Sequence, residues 1–291
     1  MTSSTEWLSG RACVVTGATR GLGLATADAL AAAGANVALC ARDGHAAATA
    51  AETLAADHGV VAVGAAVDVA DPGAVEDFAA TVDARLGPPA LVVNNAAVLG
   101  PVGPLIDADL SAWGRAIAID VLGVAAVMAA FGRRMARAGA GAIVNLSGGG
   151  IGGPGVAPRI GAYTASKAAV AVLTETVAKE LGPSGVRVNA IAPGAQPTEF
   201  TAEILRSGPT VAGADLYEAT ARNQAGTADL SAYLRHLFYV ASPDASWLTG
   251  RLLSARWDTP ERLAERRDEL AASSLLQLRR IDGDLYAEQH P

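Results

Sequence analysis

Short apolar runs alternate with amphipathic helical segments along most of the chain, and this alternation limits the possible folds more than any other feature. The runs cover residues 12–16, 35–41, 60–67, 90–93, 186–192 and 249–255, and a further run begins at Ile143. A helix between successive short strands is typical of right-handed βαβ crossovers, which build a parallel sheet. The sequence therefore predicts an α/β fold with seven parallel strands and helices on both faces.

The length and composition predict a single domain and exclude several functional classes. No low-complexity linker interrupts the 291 residues, so we expect one domain over residues 1–291, with a charged C-terminal extension over about 256–291. The net charge of −7 argues against a nucleic-acid partner. No basic-then-apolar leader and no uninterrupted transmembrane run is present, and the four histidines lack metal-ligand spacing. With Cys13 and Cys40 both in apolar runs, these features predict a cytoplasmic protein without a metal or membrane contact.

Three glycines follow the first apolar run, in the segment GATRGLG. Gly17, Gly21 and Gly23 stand between the predicted strand and helix. Glycines let a backbone approach a pyrophosphate closely, and the helix N-terminus supplies free N–H groups and a positive dipole end. In its position after the first strand of a βαβ unit, this loop predicts a dinucleotide site.

The end of the second run indicates which dinucleotide binds. An acidic residue there would bind the ribose 2′-hydroxyl of NAD, but Cys40 and Ala41 occupy the position and Arg42 follows. Arg20 stands inside the glycine loop, from which its side chain is long enough to reach the same region. Two guanidiniums suit a 2′-phosphate, so NADP(H) is favoured over NAD(H), although Asp43 counts against this preference.

Tyr163 and Lys167 are the strongest candidates for chemistry. They lie four residues apart in a predicted helix and so share one of its faces. A nearby ammonium favours phenolate, so we expect the pKa of Tyr163 to lie below its usual value of about 10.

Taken together, the motifs resemble the short-chain dehydrogenase/reductase family in its single-domain form. They are TGATRGLG, Asp68, NNAA, YTASK and PGAQPT, in the order and spacing of that family over about residues 10–254. The resemblance implies a Rossmann-type three-layer sandwich and hydride transfer between a nicotinamide and a carbonyl or alcohol on a small molecule. It also implies a substrate lid over about residues 199–226.

The resemblance implies a role for each matching residue. Tyr163 would be the acid/base, and Lys167 would bind the nicotinamide ribose and lower the pKa of Tyr163. The remaining cofactor-binding residues would be Gly17, Thr19, Arg20, Gly21, Leu22, Gly23, Arg42, Asp68, Val69, Asn95, Ala96, Ala97, Pro193, Gly194, Gln196 and Thr198.

Two positions depart from the family pattern. The family usually has a serine that bonds to the substrate carbonyl, and the segment NLSGGG places Gly148 there, with Ser147 one residue early. A one-residue step along an extended chain reverses the side-chain direction. Either Ser147, after rotation of this glycine-rich loop, or backbone N–H groups from Gly148 onward would then act as donors.

The second departure is Asp120, in DVLG, where the family has an asparagine that orients a water toward the lysine. A carboxylate there would favour the ammonium of Lys167 but oppose a phenolate. The alternative is an acid satisfied by backbone donors at a helix irregularity.

These observations favour an NADP-dependent carbonyl reductase or secondary alcohol dehydrogenase, and the resemblance implies a homodimer or homotetramer. Two alternatives stay open: an NADP(H)-binding sensor or scaffold with a decayed redox site, and a non-redox isomerase, lyase or cyclase.

Overall fold

The strands form one parallel sheet in the computed structural model, which describes residues 5–148, 150–151, 156–194, 199–224 and 230–279. The sheet order is β3-β2-β1-β4-β5-β6-β7, so the order in which strands are added reverses between β1 and β4. The strands are β1 Ala12–Thr16, β2 Asn36–Ala41, β3 Ala62–Ala66, β4 Leu91–Asn94, β5 Gly141–Leu146, β6 Val186–Ala192 and β7 Leu252–Ser254. The predicted Rossmann-type architecture is confirmed, with β7 shorter than expected.

Helices cover both faces of the sheet. They are α1 Gly21–Ala32, α2 Gly44–His58, α3 Pro72–Leu86, α4 Leu110–Ile117, α5 Val124–Ala138, α6 Gly161–Leu181, α7 Glu199–Ala212, α8 Ala214–Gln224, α9 Ser231–Ala241, α10 Pro260–Glu265 and α11 Arg267–Ala272. One apolar core lies on each face, because the central strands are buried on both sides.

A π-helical turn, Ala118–Gly123, joins α4 to α5 into one long helix. Among the described residues, this helix over Leu110–Ala138 has the length and composition to cross a membrane. Half of its most apolar window is nevertheless buried inside the fold. Val127 and Phe131 belong to the core on that face of the sheet, so the helix packs as a core helix.

Local capping fixes several helix starts at the carboxyl edge of the sheet. Asp43 accepts a hydrogen bond from the Ala46 N–H, and Asp71 accepts bonds from the first turn of α3, which begins with Pro72. A side-chain acceptor at the N-cap followed by proline at the first helical position is a strong start signal. Strand ends and helix starts therefore meet at one edge of the sheet.

Two helices, α7 and α8, form most of the segment over about residues 199–226 that the family resemblance marks as a substrate lid. The helix α7 breaks at Gly208, which has a φ of 76° and precedes Pro209. Ile204 and Ala212 are buried in a small apolar cluster beside the substrate side of the cleft. Burial against the rest of the fold stabilises helices that weak local propensities did not predict.

The described part of the C-terminal extension, through residue 279, packs on its own chain. The guanidinium of Arg251 donates to the carbonyls of Leu270, Ser273 and Leu275. The Leu252 N–H donates to the Leu276 carbonyl at 2.7 Å. The extension thus covers the β7 edge of the sheet.

Candidate functional site

The glycine loop after β1 is held closely against the segment that follows β4. A Cβ on Gly17 would lie 2.8 Å from the Ala96 Cα, and one on Gly23 would lie 2.3 Å from the Asn95 Nδ2. That Nδ2 donates to the carbonyls of Thr16 and Gly17. Larger side chains at these two glycines would separate the two segments.

The N-terminal end of α1 has the features of an anion site. Gly21 has a φ of +56°, and a Cβ there would meet no atom within 4 Å. Arg20 is the N-cap, and no side chain caps the first turn. The uncapped N–H groups and the helix dipole therefore fit a pyrophosphate.

A cavity of about 1450 Å³ runs along the carboxyl edge of the sheet from this loop to α6 and α7. Every predicted cofactor residue in the described part of the chain lines it. Ser147 also lines the cavity, whereas Asp120 lies buried behind its wall. Gln196 and Thr198 fall outside the described residues. The cavity therefore fits a dinucleotide laid across the point where the strand order reverses.

A third arginine, which the sequence reasoning missed, accompanies Arg20 and Arg42. Arg115 lines, with both of them, an adjoining cavity of about 520 Å³. Its guanidinium lies 3.4 Å from the Asp68 carboxylate, and both groups are substantially exposed. Because Arg115 and Asp68 are 47 residues apart, no local pattern in the sequence brings them together.

Tyr163 and Lys167 lie on the first two turns of α6, where the spacing places them. The Lys167 Nζ is 5.4 Å from the centroid of the Tyr163 ring and donates to the Leu146 carbonyl at 2.9 Å. Burial lowers the pKa of Lys167, and the Asp120 carboxylate acts in the opposite direction. The ammonium is thus held between the end of β5 and Asp120.

The pKa of Tyr163 is shifted in the direction opposite to the sequence expectation. Burial raises it, and the Asp120 carboxylate raises it further. The phenol ring packs edge-on against Phe200, with 5.4 Å between the ring centroids. In this environment Tyr163 is a proton donor at neutral pH.

Asp120 lies in the π-helical turn and is fully buried. Its Oδ1 accepts a hydrogen bond from the Val98 N–H at 2.8 Å, whereas its Oδ2 has no partner among the described residues. Burial raises the pKa of Asp120 to about 6, although the Lys167 ammonium and the Val98 N–H oppose this change. One carboxylate oxygen is thus satisfied by a backbone donor, as the second interpretation expects, and the other has no partner in the described part of the chain.

The missing serine position faces the tyrosine. A Cβ on Gly148 would lie only 2.7 Å from the Tyr163 Oη. The Ser147 Oγ is buried and makes no hydrogen bond in the described part of the chain, although its N–H donates to the Ile191 carbonyl at 2.9 Å. Gly148, and not the Ser147 hydroxyl, therefore lies against the phenol.

A second polar cluster lies deeper, between the ends of β4 and β5 and α6. The Asn94 Nδ2 donates to the Asn145 Oδ1 at 2.8 Å, and the Asn145 Nδ2 donates to the Thr174 Oγ1 at 2.8 Å. The Thr174 hydroxyl donates in turn to the Val170 carbonyl. These bonds fix α6 to the centre of the sheet.

The far end of the cavity is apolar. Leu99, Ile160 and Ile204 are buried there, and Phe200 of α7 and Leu216 of α8 belong to the same apolar cluster as Tyr163. Arg159, with a left-handed φ of 65°, donates to the carbonyls of Thr210 and Val211. That guanidinium ties the segment before Tyr163 to the end of α7.

Together, the doubly wound sheet, the uncapped glycine loop and the tyrosine–lysine pair define a nicotinamide-dependent oxidoreductase. A sequence model described as short chain dehydrogenase matches residues 11–207. The chain belongs to the short-chain dehydrogenase/reductase family.

Relatives and solved structures agree with this assignment. The chain is 36% identical over 253 residues to a cis-4-hydroxycyclohexanecarboxylate dehydrogenase of Sinomonas cyclohexanicum, covering 86% of this chain and 96% of the relative. It is 37% identical over 254 residues to a galactitol 2-dehydrogenase of Cereibacter sphaeroides, covering 85% and 94%. An NAD⁺-bound xylitol dehydrogenase superposes with a TM-score of 0.75 at 30% identity, over 85% of this chain and 98% of that one.

Proposed function

We propose that this protein is an NADP-dependent carbonyl reductase and secondary alcohol dehydrogenase, with Tyr163 as the acid/base and Lys167 as its charged partner. The observation that carries the proposal is the single cavity of about 1450 Å³ that joins the uncapped end of α1 to the Tyr163 hydroxyl. A site for a dinucleotide and a proton donor thus share one cleft.

Tyr163 and Lys167 have different roles in the proposed reaction. When bound, the reduced nicotinamide supplies the hydride that reaches the substrate carbonyl carbon. The Tyr163 Oη gives its proton to the carbonyl oxygen, so the product is a neutral alcohol and the tyrosine becomes a phenolate. Lys167 stabilises that phenolate, which then regains a proton from solvent. Alcohol oxidation follows the same steps in reverse.

Three arginines support the preference for NADP. Arg20, Arg42 and Arg115 lie around one cavity beside the end of β2, where Cys40 and Ala41 provide no carboxylate for a ribose hydroxyl. The Asp43 carboxylate caps α2, so it is already engaged by the Ala46 N–H. Guanidiniums bind phosphate oxygens through paired, charge-assisted hydrogen bonds.

The cofactor preference is tested by Arg42→Gln. We expect the Kd for NADPH to rise by about tenfold, with little change in the Kd for NADH, because one charged hydrogen-bonding group is lost. The matched control is Arg137→Gln, at an exposed position near the end of α5. Equal weakening of both cofactors, or none, would contradict the assignment; titration calorimetry measures both constants.

The apolar end of the cleft supports a substrate with a compact, mostly apolar skeleton. The named relatives and neighbours include a cis-4-hydroxycyclohexanecarboxylate dehydrogenase and a 7α-hydroxysteroid dehydrogenase structure at 25% identity. Both names describe secondary alcohols on saturated rings. We therefore propose cyclic ketones and their alcohols as the first substrates to test.

The absent serine lowers the expected rate without removing the chemistry. Loss of one positioned donor to a developing oxyanion costs on the order of 10²–10³-fold in rate. The proposed replacement is the Ser147 hydroxyl or a backbone N–H from Gly148 onward. No turnover of a broad ketone and alcohol panel, despite micromolar NADPH binding, would favour the NADP(H)-binding protein without redox activity.

The assembly is proposed separately. Leu122 and Val172 are exposed apolar side chains, at 60% and 54%, on the helix of residues 110–138 and on α6. Exposed apolar residues on two neighbouring helices favour a homodimer or homotetramer formed through them. Sedimentation equilibrium of the wild type and of Leu122→Glu tests this interface.

A further inference from the structure

Three segments of the chain meet at Arg159, beside the apolar end of the cleft. Its Nη1 donates to the Thr210 carbonyl at 3.2 Å and to the Val211 carbonyl at 3.1 Å, both near the end of α7. Its own carbonyl accepts the Gly103 N–H at 2.7 Å, from the loop after β4. Arg159 therefore joins this loop, the segment before Tyr163 and the end of α7.

The backbone of Arg159 is held in a conformation that arginine rarely adopts. Its φ of 65° lies in the left-handed region, which is unfavourable for most residues other than glycine. Such a conformation persists only where the surrounding contacts hold it. The next residue, Ile160, is the N-cap of α6 and is buried in the apolar cluster of the cleft. The turn at Arg159 thus sets the direction in which the chain enters the helix of Tyr163.

The guanidinium bonds to carbonyls that a helix leaves without partners of its own. The last four carbonyls of an α-helix have no intrahelical donor, and the negative end of the helix dipole attracts a cation. Thr210 and Val211 belong to the last turn of α7, which ends at Ala212. The following residue, Gly213, has a φ of +83°, and a Cβ there would lie 3.1 Å from the Arg159 Nε. The side chain of Arg159 is therefore packed against the junction of α7 and α8.

The part of α7 that Arg159 holds is joined to the part that faces the phenol. The break at Gly208 divides the helix into a longer first part and a short second part. The first part carries Phe200, whose ring packs edge-on against Tyr163, and Ile204, which is buried in the apolar cluster. Because the guanidinium fixes the second part, the apolar wall that the first part adds to the cleft depends on that anchor.

We propose that Arg159 is a positioning residue that determines which substrates fit the cleft, because it fixes the wall of α7 beside Tyr163. This inference rests on the proposed function. The contacts of the guanidinium lie at the apolar end, whereas the glycine loop and the end of β2 line the other end of the cleft. Loss of the guanidinium is therefore expected to weaken the binding of a substrate that fills the apolar end and to leave cofactor binding unchanged.

The kinetic test is Arg159→Asn, because asparagine adopts the left-handed conformation more readily than most residues but has no guanidinium. We expect the KM for cyclohexanone to rise by about tenfold, as for a lost charged hydrogen bond, with kcat changed by less than about threefold. The KM for acetone, which is too small to fill the apolar end, is expected to change little. The matched control is Arg262→Asn, at an exposed arginine of α10 that also donates to a backbone carbonyl. It is expected to leave both constants as in the wild type.

Two further measurements separate positioning from a general loss of structure. The Kd for NADPH is expected to stay at the wild-type value in Arg159→Asn. Arg159→Lys is expected to restore part of the affinity for cyclohexanone, because an ammonium can still donate to a carbonyl. Equal weakening of both ketones, or weakening of NADPH binding by the same factor, would overturn the inference. If Arg159→Asn does not fold, Arg159→Lys takes its place in each test, with smaller expected changes.

A readout without turnover keeps the inference distinct from the proposed function. Hydrogen exchange followed by mass spectrometry is expected to show about tenfold faster exchange of the α7 amides in Arg159→Asn, with the α3 amides unchanged. Faster exchange in a protein that turns over no ketone or alcohol would uphold the positioning of α7 by Arg159 and refute the proposed function. Unchanged exchange in α7, or an unchanged KM for cyclohexanone in an active enzyme, would overturn the inference.

Discussion

Two buried polar clusters lie against α6, and they differ in how completely their hydrogen bonds are made. In the closed cluster, Asn94, Asn145 and Thr174 bond to one another in a chain that ends on the Val170 carbonyl. The open cluster comprises Tyr163, Lys167, Asp120 and Ser147. There the Asp120 Oδ2 and the Ser147 Oγ have no partner among the described residues.

The difference separates stability from chemistry. Buried polar groups that are fully paired fix elements in place, whereas unpaired ones cost free energy unless a ligand or water completes them. The closed cluster fixes the middle of α6 to the sheet, and the open cluster lies two turns earlier on the same helix, beside the cleft. One helix thus carries a structural anchor and a reactive end.

The largest effect is expected from removing the Tyr163 hydroxyl from the open cluster. Tyr163→Phe is expected to lower kcat by about 10²–10⁴-fold, because a positioned proton donor is lost. The free energy of unfolding is expected to stay nearly constant, since the Oη bonds to no described residue. Steady-state kinetics and urea denaturation measure the two quantities, and undiminished turnover would remove Tyr163 from its assigned role.

The next effect concerns the pH dependence of stability. Burial raises the pKa of Asp120 from 3.8 to about 6, so the folded state holds this proton more tightly than the unfolded state. Stability therefore falls as pH rises through this interval, by on the order of 2–3 kcal/mol from this group. Asp120→Asn is expected to lack that component.

Urea denaturation of both proteins at pH 4.5 and pH 7 measures this component. The difference between the proteins removes the contribution of the other carboxyl groups. A parallel pH dependence in wild type and variant would show that Asp120 has an ordinary pKa in the folded protein.

Asn145→Leu breaks the closed cluster and is expected to cost about 1–3 kcal/mol of stability, because the buried Asn94 Nδ2 loses its acceptor. The pH dependence of activity is expected to stay as in the wild type, since none of the titrating groups is altered. A variant as stable as the wild type would show that the closed cluster is not an anchor.

The smallest effect is that of Thr174→Val, at about 0.5–1.5 kcal/mol, because one neutral hydrogen bond is removed. Combined with Asn145→Leu, its cost is expected to be less than additive, since both changes remove the bond between these residues. Strictly additive unfolding free energies in this double-mutant cycle would contradict the geometry.

The sequence predicted most of the fold because its strands are continuous apolar runs with turn glycines at their ends. It also predicted that Tyr163 and Lys167 share one face of a helix, because four residues make about one helical turn. These features depend on local periodicity. The helices α7 and α8 had only weak helical signals in the sequence, because burial of Ile204 and Ala212 against the rest of the fold stabilises this segment.

Long-range contacts account for the rest of the site that escaped prediction. Arg115 joins Asp68 across 47 positions, and the phenol meets Gly148 across a loop. The direction of the Tyr163 pKa was wrong because the sequence showed the nearby cation and not the depth of burial. Contacts between distant segments and the depth of burial depend on how the whole chain packs, so local sequence patterns do not predict them.

The contact between Gly148 and the phenol also limits which side chains residue 148 tolerates. A serine there would place a Cβ 2.7 Å from the Tyr163 Oη. The ring itself packs edge-on against Phe200 of α7, with 5.4 Å between the ring centroids. Any side chain at residue 148 therefore requires a shift of the phenol or of the loop that carries this residue, so glycine is the residue that leaves the proton donor in its present position.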